Sequence, residues 1–154
     1  FGEWLSYYSN GRLKEKQHYK IIAPKNISEG LNRMGYKENV SEFHGSYEAY
    51  SHIDFQLKEI GKYKNGQKHG TWTNYYPGGV VPTIVAQYQN GQLDGIFRQY
   101  DRYGHLVYEI SYKNGLKHGD FIAFNENGKI VSRKVFRNGE EVGSQEKDGF
   151  MPER

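Results

Sequence analysis

Apolar residues recur along the chain at fixed distances from a repeated glycine. The members of this series are Gly2, Gly45, Gly70, Gly95, Gly119 and Gly143. From Gly45 onward the steps between them are 25, 25, 24 and 24 residues. In every copy but the last, one aromatic residue lies two positions after the glycine and another lies three positions further, as in Trp72 and Tyr75. Such regularity indicates tandem structural repeats.

Turn signals separate the aromatic segments. The chain contains four Asn-Gly pairs at the ends of units, which are Asn65-Gly66, Asn90-Gly91, Asn114-Gly115 and Asn138-Gly139. Asn-Gly is the strongest short-range hairpin signal because both residues tolerate positive φ. A second glycine, nine residues after the repeat glycine, marks another turn in most copies, as at Gly79 and Gly104. The pattern predicts an all-β fold, an elongated twisted antiparallel sheet of about five tandem hairpin units of 24–25 residues.

The two aromatic columns should lie on opposite faces of this sheet, because side chains three residues apart in a strand point in opposite directions. Either both faces are covered, or one aromatic face is left open. The second column contains Tyr50, Tyr75 and Tyr100, and we expect these tyrosines to anchor a partner.

We interpret residues 1–143 as a single repeat array and residues 144–154 as a polar C-terminal tail. An insertion at about residues 20–44 interrupts the period between the first two copies. It is either a tolerated surface loop or an additional partner contact at the rim of the binding face. The Gly45 copy also departs from the pattern, with Ser51–Asp54 in place of the glycine turn.

Composition narrows the possible classes of protein. Hydrophobic residues make up 36% of the chain, aromatic residues 16%, and the mean hydropathy is −0.91. This favours a thin structure held by large side chains. A net charge of +3 permits an acidic partner but is weak for a dedicated nucleic-acid binder. The absence of cysteine excludes disulfides and thiolate metal sites. The chain starts at Phe1, within a repeat, so we expect a trimmed or processed N-terminus, which leaves an exported or membrane-attached form open.

Two segments carry a resemblance to a known family. They are YKNGQKHGTWTNYYPGG at Tyr63–Gly79 and YKNGLKHGDFIAFNENG at Tyr112–Gly128. They resemble the MORN-repeat variant family, and more closely bacterial MORN-variant proteins described as antitoxin components of toxin–antitoxin systems. The likeness covers roughly residues 1–19 and 43–143. It implies a non-enzymatic array that neutralises or organises a protein partner, and it favours a bacterial cytoplasmic location.

Motifs for catalysis, nucleotide binding or metal binding are absent from the sequence, so we expect neither an enzyme nor a cofactor. His44, His69 and His118 each precede a repeat glycine. Copies one unit apart are separated by two strands, roughly 9.5–10 Å, which is too far for a single zinc ion. We interpret this position as a polar turn position that tolerates substitution, not as a metal site.

Lys64 and Lys113 follow repeat tyrosines and are candidate partner contacts. We interpret the lysines as a solvated face of the strands in preference to a nucleic-acid track, with anionic lipid headgroups as the alternative ligand. The resemblance therefore implies an antitoxin or immunity protein that binds a toxin directly. The alternative is a membrane-surface or scaffolding module. The two edges of an open sheet also allow self-association.

Overall fold

The computed structural model describes residues 2–22 and 40–146, which form one antiparallel sheet of eleven strands in sequential order. The strands are β1 (Gly2–Tyr7), β2 (Leu13–Ile22), β3 (Val40–Tyr50), β4 (Leu57–Lys64), β5 (Gln67–Tyr75), β6 (Pro82–Gln89), β7 (Gln92–Tyr100), β8 (Leu106–Lys113), β9 (Leu116–Phe124), β10 (Ile130–Arg137) and β11 (Glu140–Glu146). The predicted all-β repeat sheet is confirmed. In these two ranges no helix has the length and apolarity to cross a membrane.

The four Asn-Gly pairs form two-residue hairpin turns. In all four, both residues have positive φ, between 49° and 93°. The flanking residues pair directly, as Lys64 does with Gln67. Positive φ at both central positions is the type I′ geometry, whose twist matches that of the strands. We call the side of the sheet with these turns the Asn-Gly edge.

Each Asn-Gly turn is also hydrogen-bonded to the odd-numbered strand that precedes its hairpin, as the turn between β4 and β5 is to β3. We call this contact the turn latch. The glycine N–H donates to a carbonyl two residues before a repeat glycine, over 2.8–3.0 Å in all four turns. The asparagine N–H donates to the side chain just before that glycine in three of them. These acceptors are His44 at 3.5 Å, Asp94 at 3.0 Å and His118 at 3.5 Å.

The residue before the repeat glycine lies inside a strand, so our interpretation of it as a turn position is wrong. The glycine is a β-bulge, not a turn. In β5, Thr73 pairs with Ile60 but His69 pairs with Lys62, so β5 has two extra residues around Gly70, whose φ is +72°. Since Asn-Gly already makes the turn, the later glycine serves to bend the strand.

The opposite side of the sheet, which we call the glycine-turn edge, has turns of a second kind. The second glycine of the unit has a φ of 68–88° in the four copies that keep it. In the copy that lacks it, Phe55 takes the same role with a φ of 58°. This conformation is rare for a bulky residue. The Phe55 ring packs 6.2 Å from that of Tyr8 and 4.2 Å from the Arg12 guanidinium. The hairpin therefore survives the loss of its glycine.

One face of the sheet, the core face, contains every buried residue in the described part of the chain. Its central row, read across the strands, is Trp4, Gln17, Tyr47, Gly61, Trp72, Ala86, Phe97, Ile110, Phe121 and Lys134. Aromatic residues on odd-numbered strands alternate with small, aliphatic or flexible ones on even-numbered strands. Trp72, the most buried at 1% exposure, lies between Gly61 and Ala86. The core is thus a single layer in which the rings of this row pack on each other, as Tyr47 and Trp72 do, or on neighbouring tyrosines such as Tyr108.

The second aromatic column lies on the other face, as predicted. Tyr75 is three residues from Trp72 in β5, and Tyr50 has the same relation to Tyr47 in β3. Tyr50 donates a hydrogen bond to Glu48, two residues away on the same face. We call this the tyrosine face. Among residues 2–22 and 40–146, no second layer covers it.

Two segments differ in extent from the sequence interpretation. β2 continues to Ile22 and β3 begins at Val40, so the strands take up both ends of the insertion, and residues 23–39 lie outside the described residues. These strand ends are at the Asn-Gly edge. β11 continues to Glu146, three residues into the segment interpreted as a tail, and the rest of that tail also lies outside.

The Asn-Gly turns offer a clean test of backbone strain. Gly66 has a φ of +73°, and a Cβ added there would have no atom within 4 Å. Replacing Gly66 with alanine should therefore lower the free energy of unfolding by about 1–2 kcal/mol from the left-handed backbone alone. Urea denaturation measures this change. Gly66→Asn should recover most of the loss, because asparagine tolerates that conformation; equal stability of Gly66→Ala and the wild type would contradict the assignment.

Candidate functional site

An apolar stripe runs across the tyrosine face close to the glycine-turn edge. The tyrosine at the end of each of the strands β3, β5 and β7 pairs with an apolar residue on the next strand, as Tyr50 does with Leu57 and Tyr100 with Leu106. We define the tyrosine stripe as Tyr50, Leu57, Tyr75, Pro82, Tyr100, Leu106, Phe124 and Ile130. Neighbouring strands are about 4.8 Å apart, so the stripe is roughly 34 Å long. It brings the three predicted anchor tyrosines into one line.

The hydroxyl groups of these tyrosines differ in their contacts. The Tyr50 hydroxyl donates to Glu48 over 2.7 Å, and this bond is the main cause that raises the pKa of Tyr50. The Tyr75 and Tyr100 hydroxyls have no hydrogen-bond partner among the described residues. All three rings are half-buried. Tyr75 and Tyr100 therefore present both an apolar ring and an unused polar group to the solvent.

Two clefts open between the turns beside the stripe. The larger one, of about 500 Å³, is lined by residues of the last two glycine turns and by Leu106 and Phe124 of the stripe. The smaller, of about 230 Å³, is lined by Leu57 and Tyr75 of the stripe together with turn residues that include His52. Both are open to solvent, and each is wide enough for a partner's side chain.

The tips of three consecutive glycine turns carry exposed apolar side chains. Ile53 is 74% exposed, Val80 80% and Tyr103 76%. Each tip belongs to a different hairpin, so the row follows the tyrosine stripe along the same edge. Exposed apolar residues in a contiguous set are typical of interaction surfaces.

Basic side chains slightly outnumber carboxylates at this edge. Arg12, Lys58, Arg102 and Lys129 are exposed there, on four different hairpins. The carboxylate of Asp54 accepts hydrogen bonds from the Gln56 and Gly78 N–H groups, which lower its pKa. Asp101 likewise accepts from two backbone N–H groups and lies 3.0 Å from the His105 ring. Asp54 and Asp101 are thus bonded within their turns, whereas Glu126 of the last glycine turn and the four cations are exposed.

The two predicted lysines lie on the tyrosine face but at its other edge. Lys64 is seven residues from Leu57 along β4, and Lys113 is seven residues from Leu106 along β8. At about 3.3 Å per residue each lysine is roughly 23 Å from the stripe. Both are exposed. The structure therefore separates the lysines from the tyrosines and gives them a distinct surface.

The core face offers little to a ligand. Burial, with help from the carboxylates of Glu15 and Glu59, raises the pKa of the Tyr47 hydroxyl. Lys68 lies 3.8 Å above the Trp72 ring and 2.9 Å from Glu59. These polar groups pair with each other. In the described ranges, no cluster of three or more His, Asp or Glu side chains has metal-binding geometry.

Sequence reasoning missed the aliphatic half of the stripe and the turn tips. The positions two residues after the second glycine, such as Leu106, do recur along the sequence. Their pairing with the tyrosines depends on the register shift at each glycine turn. Two turns at the glycine-turn edge, those after Tyr50 and Tyr75, contain one residue more than the others, and this residue shifts the pairing by one position. Pro82, and not Val81, therefore lies opposite Tyr75.

Comparisons with known proteins agree with this architecture. The model of a family described as MORN repeat variant matches residues 2–20, 68–82, 93–114 and 117–138, together half of the chain. No curated protein gives a significant match. A crystal structure of an S. aureus TarM mutant, in complex with fondaparinux, alpha-GlcNAc-glycerol and UDP, has a TM-score of 0.43 and 11% sequence identity. It covers 63% of this chain, and this chain spans 19% of its length. That likeness is too weak to carry a conclusion.

Proposed function

The chain belongs to the MORN repeat variant family, and from this premise we propose that it is a non-enzymatic protein-binding module that neutralises a partner, such as a bacterial toxin, by covering its surface. The repeat architecture supports a binding array. The tyrosine stripe carries the proposal, because it is a continuous line of half-buried aromatic and aliphatic side chains on a face that none of the described residues covers.

The stripe has the composition of an interface core. Tyrosine is enriched among interface hot spots, where a few anchors supply most of the binding energy. Tyr75 and Tyr100 are adjacent anchors on β5 and β7, flanked by Pro82 and Leu106. The exposed turn tips extend the apolar surface toward the edge. Basic side chains along that edge would speed the encounter with an acidic partner.

The test is an affinity pull-down from the native host, followed by titration of the recovered partner against variants. Tyr75→Ala and Tyr100→Ala should each weaken binding by roughly 30-fold, the equivalent of a 2 kcal/mol hot spot. Leu116→Ala is the matched control, since Leu116 is 51% exposed at the Asn-Gly edge and should leave affinity unchanged. Folded tyrosine variants with wild-type affinity would remove the stripe from the binding site.

A second candidate function is binding to anionic lipid headgroups. The observation that favours it is the alignment of exposed Lys64, Lys113 and Arg137 at the Asn-Gly edge of the tyrosine face. Binding that rests on such charges should collapse as salt rises from about 50 to 200 mM, whereas aromatic-anchored protein binding should persist. Flotation with phosphatidylserine vesicles at both salt concentrations separates the two functions.

A further inference from the structure

We propose that the tyrosine stripe binds a proline-rich, acidic segment of the partner in the polyproline II conformation. The inference rests on the proposed protein-binding function and specifies the ligand of the same surface. Three observations carry it, namely the spacing of the tyrosines, their unused hydroxyl groups and the charge of the adjacent edge.

The spacing of the tyrosines matches an extended ligand with a three-residue period. Tyr75 and Tyr100 are two strands apart, which is about 9.6 Å. A polyproline II helix rises about 3.1 Å per residue with three residues per turn, so the same side of the ligand returns every 9.3 Å. In an α-helix the same side of the ligand returns after seven residues, a distance of about 10.5 Å. A β-strand returns to the same side after about 6.7 or 13.4 Å, neither of which matches.

The unused hydroxyl groups favour the same ligand. The Tyr75 and Tyr100 hydroxyls lack a hydrogen-bond partner within the described part of the chain, and both belong to the stripe. An α-helix has already used its backbone carbonyls, whereas polyproline II has no internal hydrogen bonds and leaves every carbonyl available. Tyrosine hydroxyls at this period can therefore each donate to a ligand carbonyl while the rings contact proline.

The clefts beside the stripe fit this arrangement. One lies beside Leu57 and Tyr75, the other beside Leu106 and Phe124, so they are separated by about four strands. That separation is roughly 19 Å, or six residues of polyproline II. Apolar side chains at every third position of the ligand would meet the stripe, and two of them would enter the clefts. The stripe accommodates about ten ligand residues.

The charge at the edge determines the flanking residues of the ligand. Lys58, Arg102 and Lys129 are exposed at the glycine-turn edge, and none has an ion pair among the described residues. Asp54 and Asp101 are bonded within their own turns, and Glu126 is the one exposed carboxylate in the described glycine turns, so exposed cations still outnumber exposed carboxylates there. Acidic residues beside the prolines would therefore be complementary to this edge.

The experiment is selection from a random 16-residue peptide library displayed on phage, run against the full chain. Each round includes counter-selection on the Tyr75→Phe/Tyr100→Phe double variant, which keeps both rings and removes both hydroxyls. We expect enriched peptides with apolar or proline residues at intervals of three and a net negative charge. Their affinity should fall about 10-fold on the double variant and remain unchanged on Tyr108→Phe, the control on the core face, where the ring packs on Phe97 and Phe121. Circular dichroism verifies that all variants are folded.

Enrichment of heptad-spaced or alternating sequences, of basic peptides, or of nothing would overturn the inference. So would equal binding by the double variant, stripe-dependent binding of phosphatidylserine vesicles, or stripe-dependent dimerisation in sedimentation. A host partner that is lost by Tyr75→Ala, combined with a library that yields no three-residue period, would contradict this inference alone. A host partner that Tyr75→Ala and Tyr100→Ala retain at full affinity would contradict the proposed function itself.

Discussion

Replacing Trp72 with alanine should lower the free energy of unfolding by about 3–5 kcal/mol, the range for truncating a large buried side chain. Trp72 is 1% exposed, and its ring lies 5.3 Å from that of Tyr47 and 5.0 Å from that of Tyr63. Its indole N–H donates to the Lys62 carbonyl over 3.0 Å. A domain is usually stable by only 5–15 kcal/mol in total. The substitution should therefore consume much of the stability of the sheet.

Urea denaturation followed by circular dichroism measures the effect of Trp72→Ala. Trp4→Ala is the matched control, because Trp4 occupies the same row in the first copy but is 44% exposed. It should cost less than about 1.5 kcal/mol, in line with its partial exposure. If both variants lost the same free energy of unfolding, the buried Trp72 would contribute no more to stability than the exposed Trp4, which would contradict the prediction.

Replacing Gly61 with alanine should destabilise the sheet by about 1–3 kcal/mol, the typical cost of overpacking. The added Cβ would lie within 2.2–2.7 Å of three Trp72 ring atoms. The ring cannot move away without weakening the hydrogen bond from its N–H to Lys62, and Tyr47 packs on the same side. A single methyl group at this position is therefore incompatible with the native position of the indole.

Gly143→Ala is the control for Gly61→Ala. Gly143 lies in a strand, and a Cβ added there has no atom within 4 Å, so its stability should be that of the wild type within about 0.5 kcal/mol. A double-mutant cycle with Trp72→Phe completes the test. The smaller ring should make the alanine at position 61 less costly, with a coupling of about 0.5–3 kcal/mol. Additive effects would contradict a direct steric conflict between the two residues.

The turns and the period of the repeat were predictable because their causes are local. Asn-Gly selects a type I′ turn through the φ preferences of two residues, and all four pairs adopt it. The alternation of Trp72 and Tyr75 between faces follows from the pleat alone. These features need no knowledge of which strand lies beside which.

Features that depend on cross-strand register were not predictable in the same way. The sequence alone does not distinguish Gly61 from any other glycine in a strand. Its importance follows from its position beneath the Trp72 ring. The acceptor role of His44 and Asp94 depends on a turn twenty or more residues later in the chain. The segment Ser51–Asp54 was interpreted as a departure from the glycine turn because the positive φ of the following Phe55 is held by packing on Tyr8 and Arg12, which belong to a different hairpin.

The two lysines proposed as contacts illustrate the same limit for the site. Sequence adjacency to repeat tyrosines suggested that Lys64 and Lys113 contribute to one surface with Tyr50, Tyr75 and Tyr100. The tyrosines next to these lysines, Tyr63 and Tyr112, belong to a different column on the core face. The strand length then places the lysines at the far edge. Their part in binding stays a prediction.

The turn latch has a consequence for how such a chain lengthens or shortens. Both partners of each latch come from directly adjacent hairpins, and Gly91 bonds only as far back as Lys68. A duplication or deletion of one whole unit therefore carries complete donor and acceptor sets with it and leaves the other latches intact. The length of a binding surface made in this way can therefore change by steps of one hairpin, about 9.6 Å, while the packing within the remaining repeats stays the same.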